Sequence, residues 1–379
     1  MPWQECSIVS QRHEFCLLAS QPDVNLAELC RRHRISRKTA YKWIGRFRQA
    51  GSSGLSDRSR RPRASPLKTP PAMEQAIVLA RQTHPAWAGR KLRRLLQNQG
   101  QPHVPAASTI QQVIVRNGLP GPDRPAPKPF LRFEHPAPND LWQMDFKGHF
   151  AVGLQGRRRC HPLTILDDHS RFCLALQGCD NEQADTVQAV LERVFQTYGL
   201  PGRILCDNGT PWGDQGQGGY TRLGVWLLRL GVSLSHGRPF HPQTQGKDER
   251  FHRTINVELI GTRCFADVAH FQRLADPWRE LYNCVRPHEA LRLDTPASRY
   301  RSSRRAFPAS LPAIQYDTCD QVRKVCVNGS ISFRGRYHKI GKAFTGQPVA
   351  IRPTEVDGVM KVYFCHQPIK ELDLRASVD

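Results

Sequence analysis

The 379-residue sequence has no apolar run approaching the ~18–20 residues that a membrane-crossing helix needs. Its first residues, Met1 to Glu5, lack a basic-then-apolar leader, so the expected location is the cytoplasm. No CxxC pair occurs. The 12 cysteines are scattered singly, and Cys173, Cys206 and Cys326 sit inside apolar runs, which predicts reduced core thiols rather than disulfides or zinc ligands. There is no internal repeat. Acidic residues are scarce: 33 Asp+Glu stand against 55 Lys+Arg, a formal charge of +22. An excess of that size calls for a polyanionic partner, most often nucleic acid. At roughly 100–200 residues per domain the length predicts two to four domains.

Residues 7–49 read as three short helices. Leu26, Leu29 and Cys30 give one apolar face, Arg34-Ile35 a sharp turn, Ser36 an N-cap, and Tyr41, Ile44 and Phe47 a second apolar face. The opposite face of the last helix carries Arg37, Lys38, Thr39 and Lys42, where a helix-turn-helix places side chains against bases and phosphates. This predicts a DNA-binding domain over 1–52. The adjoining basic Ser/Gly/Pro stretch, 53–70, reads as a linker whose Arg58, Arg60, Arg61 and Arg63 are available to a phosphate backbone or minor groove. Helical spacing returns at 72–82, 88–98 and 107–117, predicting a second helical DNA-binding unit over 71–119. A Pro-rich linker fills 120–138.

From 139 the character changes. Strands are expected near 141–152, 161–167, 171–176, 203–206 and 232–235, with helices over 182–198, 220–230 and 246–260 and a further helical stretch over 267–300. That order argues for a mixed α/β sheet with helices on its faces, over 139–305. Short strand signals at 325–327, 331–333, 349–351 and 359–364, punctuated by Asn328-Gly329 and Asp357-Gly358, predict a small all-β barrel over 314–379.

Three acids stand where the α/β segment can bring them together. Asp145 lies within the first strand, Asp207 ends the buried run Ile204-Leu-Cys206, and Glu249 lies early in the helix after His241-Pro-Gln-Thr-Gln245. Carboxylates suit Mg2+, a hard cation that keeps several waters and needs few protein ligands. Two such ions can activate one oxygen and stabilise another in a phosphoryl displacement, which is the chemistry of cutting or joining phosphodiesters.

The stretches Trp-Gln-Met-Asp-Phe (142–146), Leu-Asp-Asp-His-Ser-Arg (166–171), Cys-Asp-Asn-Gly (206–209), His-Pro-Gln-Thr-Gln-Gly-Lys-Asp-Glu-Arg (241–250) and Tyr-Asn-Cys-Val-Arg-Pro-His (282–288) together resemble DDE-type insertion-sequence transposases, relatives of the retroviral integrases. The resemblance implies a ribonuclease-H-like core and two Mg2+ (or Mn2+) ions on Asp145, Asp207 and Glu249. It also implies binding of an element's terminal inverted repeats, 3′-end cleavage, strand transfer into target DNA, and a homo-oligomer on paired DNA ends within a bacterial nucleoid. One departure is that 41 residues lie between Asp207 and Glu249, a longer spacing than the family usually shows. Asp214 would suit that spacing better, but it sits in a glycine-rich loop that cannot hold a ligand rigidly. Asp248 also competes with Glu249. On a helix the two point roughly 100° apart, and Glu249 shares a stripe with Arg253 and Asn256 while Phe251, Ile255 and Leu259 face inward.

Lys247, Arg253 and Asn256 are therefore candidates for DNA contact, and Asn208, His241 and Gln243 for orienting the ligands or the scissile phosphate. Asp167 and Asp168 read as turn caps with Arg171 as a partner, and Arg286-Pro-His288 as packing. Two other outcomes remain on the sequence: a DNA-binding regulator without catalysis, or a structure-specific nuclease on the same core.

Overall fold

The computed structural model describes residues 7–59, 68–119, 134–153, 156–213, 220–236 and 246–375. The chain divides into two compact units, Met1–Lys68 and Thr69–Asp379. In the first, α1 (Ile8–Leu18), α2 (Leu26–Arg32) and α3 (Arg37–Ala50) start at the side-chain caps Ser7, Asn25 and Ser36. The turn before α3 is tight enough to hold Arg34 at φ 51°. One expectation fails here. Tyr41 is 64% exposed, and Ala40, Trp43 and Ile44 form the inner face with Phe15, Leu29 and Leu55. The spacing 40, 43, 44, 47 follows the helical period, and Tyr41 falls outside it.

The second unit begins with α4 (Pro71–Thr83), α5 (Gly89–Asn98) and α6 (Ala107–Arg116), packed around Ile77, Trp87, Leu92, Leu96, Ile110 and Val113. A Cβ at Gly89 would stand 2.4 Å from the Ala107 carbonyl oxygen, so the close approach of α5 to α6 requires glycine. This bundle docks on the helical end of the α/β segment: Leu281 packs against it, and Arg94 pairs with Asp294 at 2.7 Å.

The central sheet contains β1 (Leu141–Phe146), β2 (Phe150–Val152), β3 (Arg158–Asp167), β4 (Cys173–Cys179), β5 (Arg203–Cys206) and β6 (Ser233–His236). Its order is β2-β3-β1-β5-β6, with β4 also paired to β3. Pairing is antiparallel among β1 to β4 and parallel from β1 to β5 to β6. The single strand expected over 141–152 is broken at Gly148, whose φ is 85°. One face of the sheet, with Trp142 and Met144, packs on α7 (Ala184–Tyr198) and α8 (Arg222–Arg229). The other packs on α9 (Gly246–Ile255) and α10 (Val268–Glu280) through Leu166, Cys173, Leu176, Phe251 and Phe271. The helix expected to reach 260 continues past Ile255 as a π turn, Asn256–Ile260, and the stretch beyond α10 continues as a π turn, Leu281–Val285, then short 3-10 turns.

The tail contains β7 (Gln321–Lys324), β8 (Ser330–Phe333), β9 (Arg336–Lys339), β10 (Pro348–Pro353), β11 (Val359–Phe364) and β12 (Gln367–Asp373). These make a four-stranded sheet, β12-β11-β10-β7, and a separate β8-β9 hairpin, so the expected closed barrel is not formed among the described residues. Ile331 and Phe333 join the tail's core by packing against Val349, Ile351, Val362 and Phe364, not by extending the ladder. The strand expected at 325–327 lies in a turn: Val325 is buried, Val327 is 86% exposed and Cys326 is exposed rather than a core thiol. Val225 and Leu228 of α8 share this core, which seats the tail on the central domain. No described helix is long and apolar enough to cross a membrane.

Candidate active site and nucleic-acid interface

Alternation along β1 sends Trp142 and Met144 to the apolar face and Gln143 and Asp145 to the face toward α9. The parallel register pairs Gln143 with Leu205; continued past the end of β5 it sets Asp207 beside Asp145, whose carboxyl feels the Asp207 charge. Asp207 accepts the Gly209 N–H at 3.0 Å, and its carbonyl is met by His236 Nδ1 at 2.8 Å. Glu249 stands in the first turn of α9 and is exposed, as are Arg253 and Asn256, while Phe251, Ile255 and Leu259 are buried.

The Asp145 carboxyl is pushed up to about 7. Burial is the main cause, followed by the charge of Asp207, with Glu182 and Glu249 adding to it against a backbone hydrogen bond at Phe146. A divalent cation would reverse that repulsion, and an all-oxygen donor set suits Mg2+. Among the described residues, no three His, Cys, Asp or Glu groups stand close enough to enclose one ion. The stretch 237–245 that leads into α9, with the candidates His241 and Gln243, lies outside the described residues, as does Asp214. Asn208 lies directly beside Asp207 in the chain.

Asp248 behaves unlike its neighbour. It is 1% exposed, and neither carboxylate oxygen has a hydrogen-bond partner among the described residues. Burial, with the charges of Asp145 and Asp168, holds it well above the ordinary carboxyl range. Lys247 also turns inward, forming an ion pair with the buried Asp168 instead of standing on the exposed stripe. Asp168 further accepts the His135 N–H at 2.8 Å and Gln143 Nε2 at 2.7 Å. Asp167 accepts the Ser170 N–H and hydroxyl and the Asn139 N–H. Asp167 caps the turn as expected, whereas Asp168 reaches out of it, and together they pin the entry segment 134–140. Arg171 pairs with Glu134 at 3.5 Å. Arg286 forms a buried ion pair with Glu258 at 2.9 Å, and His288 is buried beneath Tyr282.

On α3, Arg37, Lys38 and Lys42 are exposed, and the Thr39 hydroxyl bonds Ser36 at 2.9 Å. Arg12, Lys42 and Arg46 surround the Trp43 ring at 3.8, 4.6 and 4.9 Å from its centroid. Arg12, Tyr41 and Arg46 are not among the sequence candidates for DNA contact; Tyr41 is outward because Ala40 and Trp43 set the inner face. Arg58 is exposed, and Arg60, Arg61 and Arg63 lie outside the described residues.

Comparison with known proteins agrees with this layout. Integrase core domains match residues 135–242 and 230–296, and an IS481 family transposase C-terminal domain matches 320–379. Homeodomain-like domains match 9–56 and 39–114. The uncharacterised 31.7 kDa protein of insertion element IS407 from Burkholderia multivorans is 27% identical over 47% of this chain and 61% of its own length. The uncharacterised 39.2 kDa protein of insertion element IS476 from Xanthomonas euvesicatoria is 23% identical over 70% of this chain and 75% of its own. The Gag-Pol polyprotein of baboon endogenous virus is 28% identical over 53% of this chain and 11% of its own. The chain thus spans about three fifths of the IS407 protein and a small part of the viral polyprotein.

Proposed function

From the premise that this chain is an insertion-sequence transposase with an integrase-like core, we propose that it binds the terminal inverted repeats of its own element, cuts the 3′ ends and joins them to target DNA. The observation that carries this reading is the register that brings Asp207 beside Asp145, with Glu249 in the first turn of α9; burial and the neighbouring charges push the Asp145 carboxyl up to about 7. Acids that repel one another in a half-buried site are suited to a divalent cation. Asp145, Asp207 and Glu249 are the residues assigned to hold two Mg2+ or Mn2+ ions. When bound, such ions activate the attacking oxygen and stabilise the leaving one. Glu249 is preferred over Asp248 because its carboxylate is exposed to substrate and solvent, whereas Asp248 is enclosed.

The protein's own part is to hold the DNA. Arg253 and Asn256, exposed on the same helical segment as Glu249, suit contact with phosphate or base beside the acids, while Lys247 serves to seat α9. Asn208 is assigned to orienting the Asp207 loop. Arg37, Lys38, Thr39 and Lys42 are assigned to the element end, with Arg58 of the linker on its backbone. The helical, α/β and tail segments would act as separate DNA-binding, catalytic and docking domains. Two ends must react together, so a homo-oligomer on paired ends is part of the reading. Affinity should fall steeply with salt as lysines and arginines displace counterions.

The test is purified protein with a labelled element end, Mg2+ and a plasmid. Joined product supports the proposal. Cut ends without joining point to a nuclease, and a band shift without cutting points to a DNA-binding regulator.

A further inference from the structure

Helix α9 is fastened to the sheet by polar contacts on both sides of Glu249. Two residues before it, Lys247 pairs with Asp168. Three residues after it, His252 Nε2 lies 2.8 Å from the hydroxyl of Thr164, and that hydroxyl lies 3.0 Å from the Asp145 carbonyl. Thr164 is wholly buried and is the β3 residue directly opposite Asp145. Its single hydroxyl hydrogen is donated to the carbonyl, so its oxygen accepts from the ring N–H of His252. Burial and the charge of Lys147 push His252 down to about 4, which leaves one ring hydrogen to fill that role. Phe251 and Ile255 add apolar contacts between α9 and the sheet. Apolar packing fixes depth but tolerates sliding, whereas a hydrogen-bonded chain fixes position along and about the axis.

We propose that His252 and Thr164 are positioning residues: they tie the helix that carries Glu249 to the backbone of Asp145 and so set the separation of the two acids. This rests on the reading that Asp145, Asp207 and Glu249 hold divalent ions. Both act through Asp145 and the helix that carries Glu249, by way of the Thr164 hydroxyl. Groups that orient metal ligands at one remove are worth roughly 10- to 100-fold in metal affinity.

The test measures Mn2+ binding to the full-length chain by loss of the free-ion paramagnetic resonance signal, with no DNA present. Thr164→Val exchanges a hydroxyl for a methyl, and His252→Phe keeps a ring but removes the donor. Each should raise the Mn2+ midpoint roughly tenfold. Thr164→Ser, which restores the hydroxyl, should lie within about twofold of the wild type. Binding of a labelled element end without metal should be unchanged in all three. If His252→Phe does not fold, Thr164→Val carries the test. A Thr164→Val protein that melts within a few degrees of the wild type but keeps the wild-type Mn2+ midpoint overturns the inference. Asp145→Asn is the control for the underlying reading. If it leaves the wild-type midpoint unaltered, the assignment of the ions fails; if it abolishes binding while Thr164→Val does nothing, only the positioning role fails.

Discussion

Two pairs of acids lie within the same sheet, and they are treated in opposite ways. Asp167 and Asp168 are fully buried, yet between them they receive hydrogen bonds from Ser170, Asn139, His135, Gln143 and Lys247. Asp145 and Asp207 are less buried, yet Asp145 is pressed by other carboxylates, and the hydrogen bond at the Asp207 carboxylate comes from Gly209 N–H. A buried carboxylate with a full set of donors is a structural element. One whose neighbours are other carboxylates is destabilised in its charged form until a cation arrives, and such sites are where function concentrates. Burial alone therefore does not distinguish an acid proposed as catalytic from a structural one; the identity of the neighbours and access to solvent together do.

The largest effect that can break this distinction is on cleavage. Asp145→Asn or Asp207→Asn should lower the rate of end cutting by at least ~10³-fold, since each removes charge worth several kcal/mol of transition-state stabilisation. The same variants should melt no lower than the wild type, because repulsion is removed with the charge. A gel-based cleavage assay paired with a thermal melt reads both.

Asp168→Ala should do the reverse. It removes the carboxylate that pairs with Lys247 and accepts from Gln143 and the His135 N–H, which should cost roughly 3–5 kcal/mol in urea unfolding. Cleavage per folded molecule should fall far less than in the Asp145 variant. Equal losses of stability in the two would erase the distinction drawn between the pairs.

Asp248 gives the smallest and most discriminating effect. Its carboxyl titrates above the ordinary range in the folded chain, so the folded state keeps a proton that the unfolded state releases. Stability from this group is intact below about 4, the unfolded value, and is lost as pH rises toward the folded value. Relative to Asp248→Asn, the wild type should lose stability steadily as pH rises above about 4. Urea midpoints across that range check it. Asp248→Asn should cut DNA within a few-fold of the wild type, whereas Glu249→Gln should not cut.

Much of this architecture is legible in the amino-acid sequence. Periodicity places α4, α5 and α6 and most strands of the sheet, because three-and-four spacing and alternation are direct consequences of backbone geometry. The exposed stripe of Glu249, Arg253 and Asn256 follows from the same rule. What escapes is whatever depends on partners distant in sequence. Nothing local to Lys247 reveals Asp168, 79 residues earlier, and nothing local to His252 reveals Thr164, 88 residues earlier. The tail strands are readable one by one, but whether they close into a barrel depends on cross-strand pairing that no single strand encodes. Tyr41 misleads because it stands at helical spacing from Ile44, while the buried Ala40 and Trp43 turn the inner face one position away from it.

Asp145, Asp207 and Glu249 are proposed to hold divalent ions, and Asp167 and Asp168 are not. Crystals of the protein on an element end, soaked in Mn2+, would test this assignment through the anomalous signal of the metal. Peaks are expected between Asp145 and Asp207, with Glu249 drawn to them. Peaks at Asp167 and Asp168, or an ion held by Asp248 with Glu249 left in solvent, would contradict it.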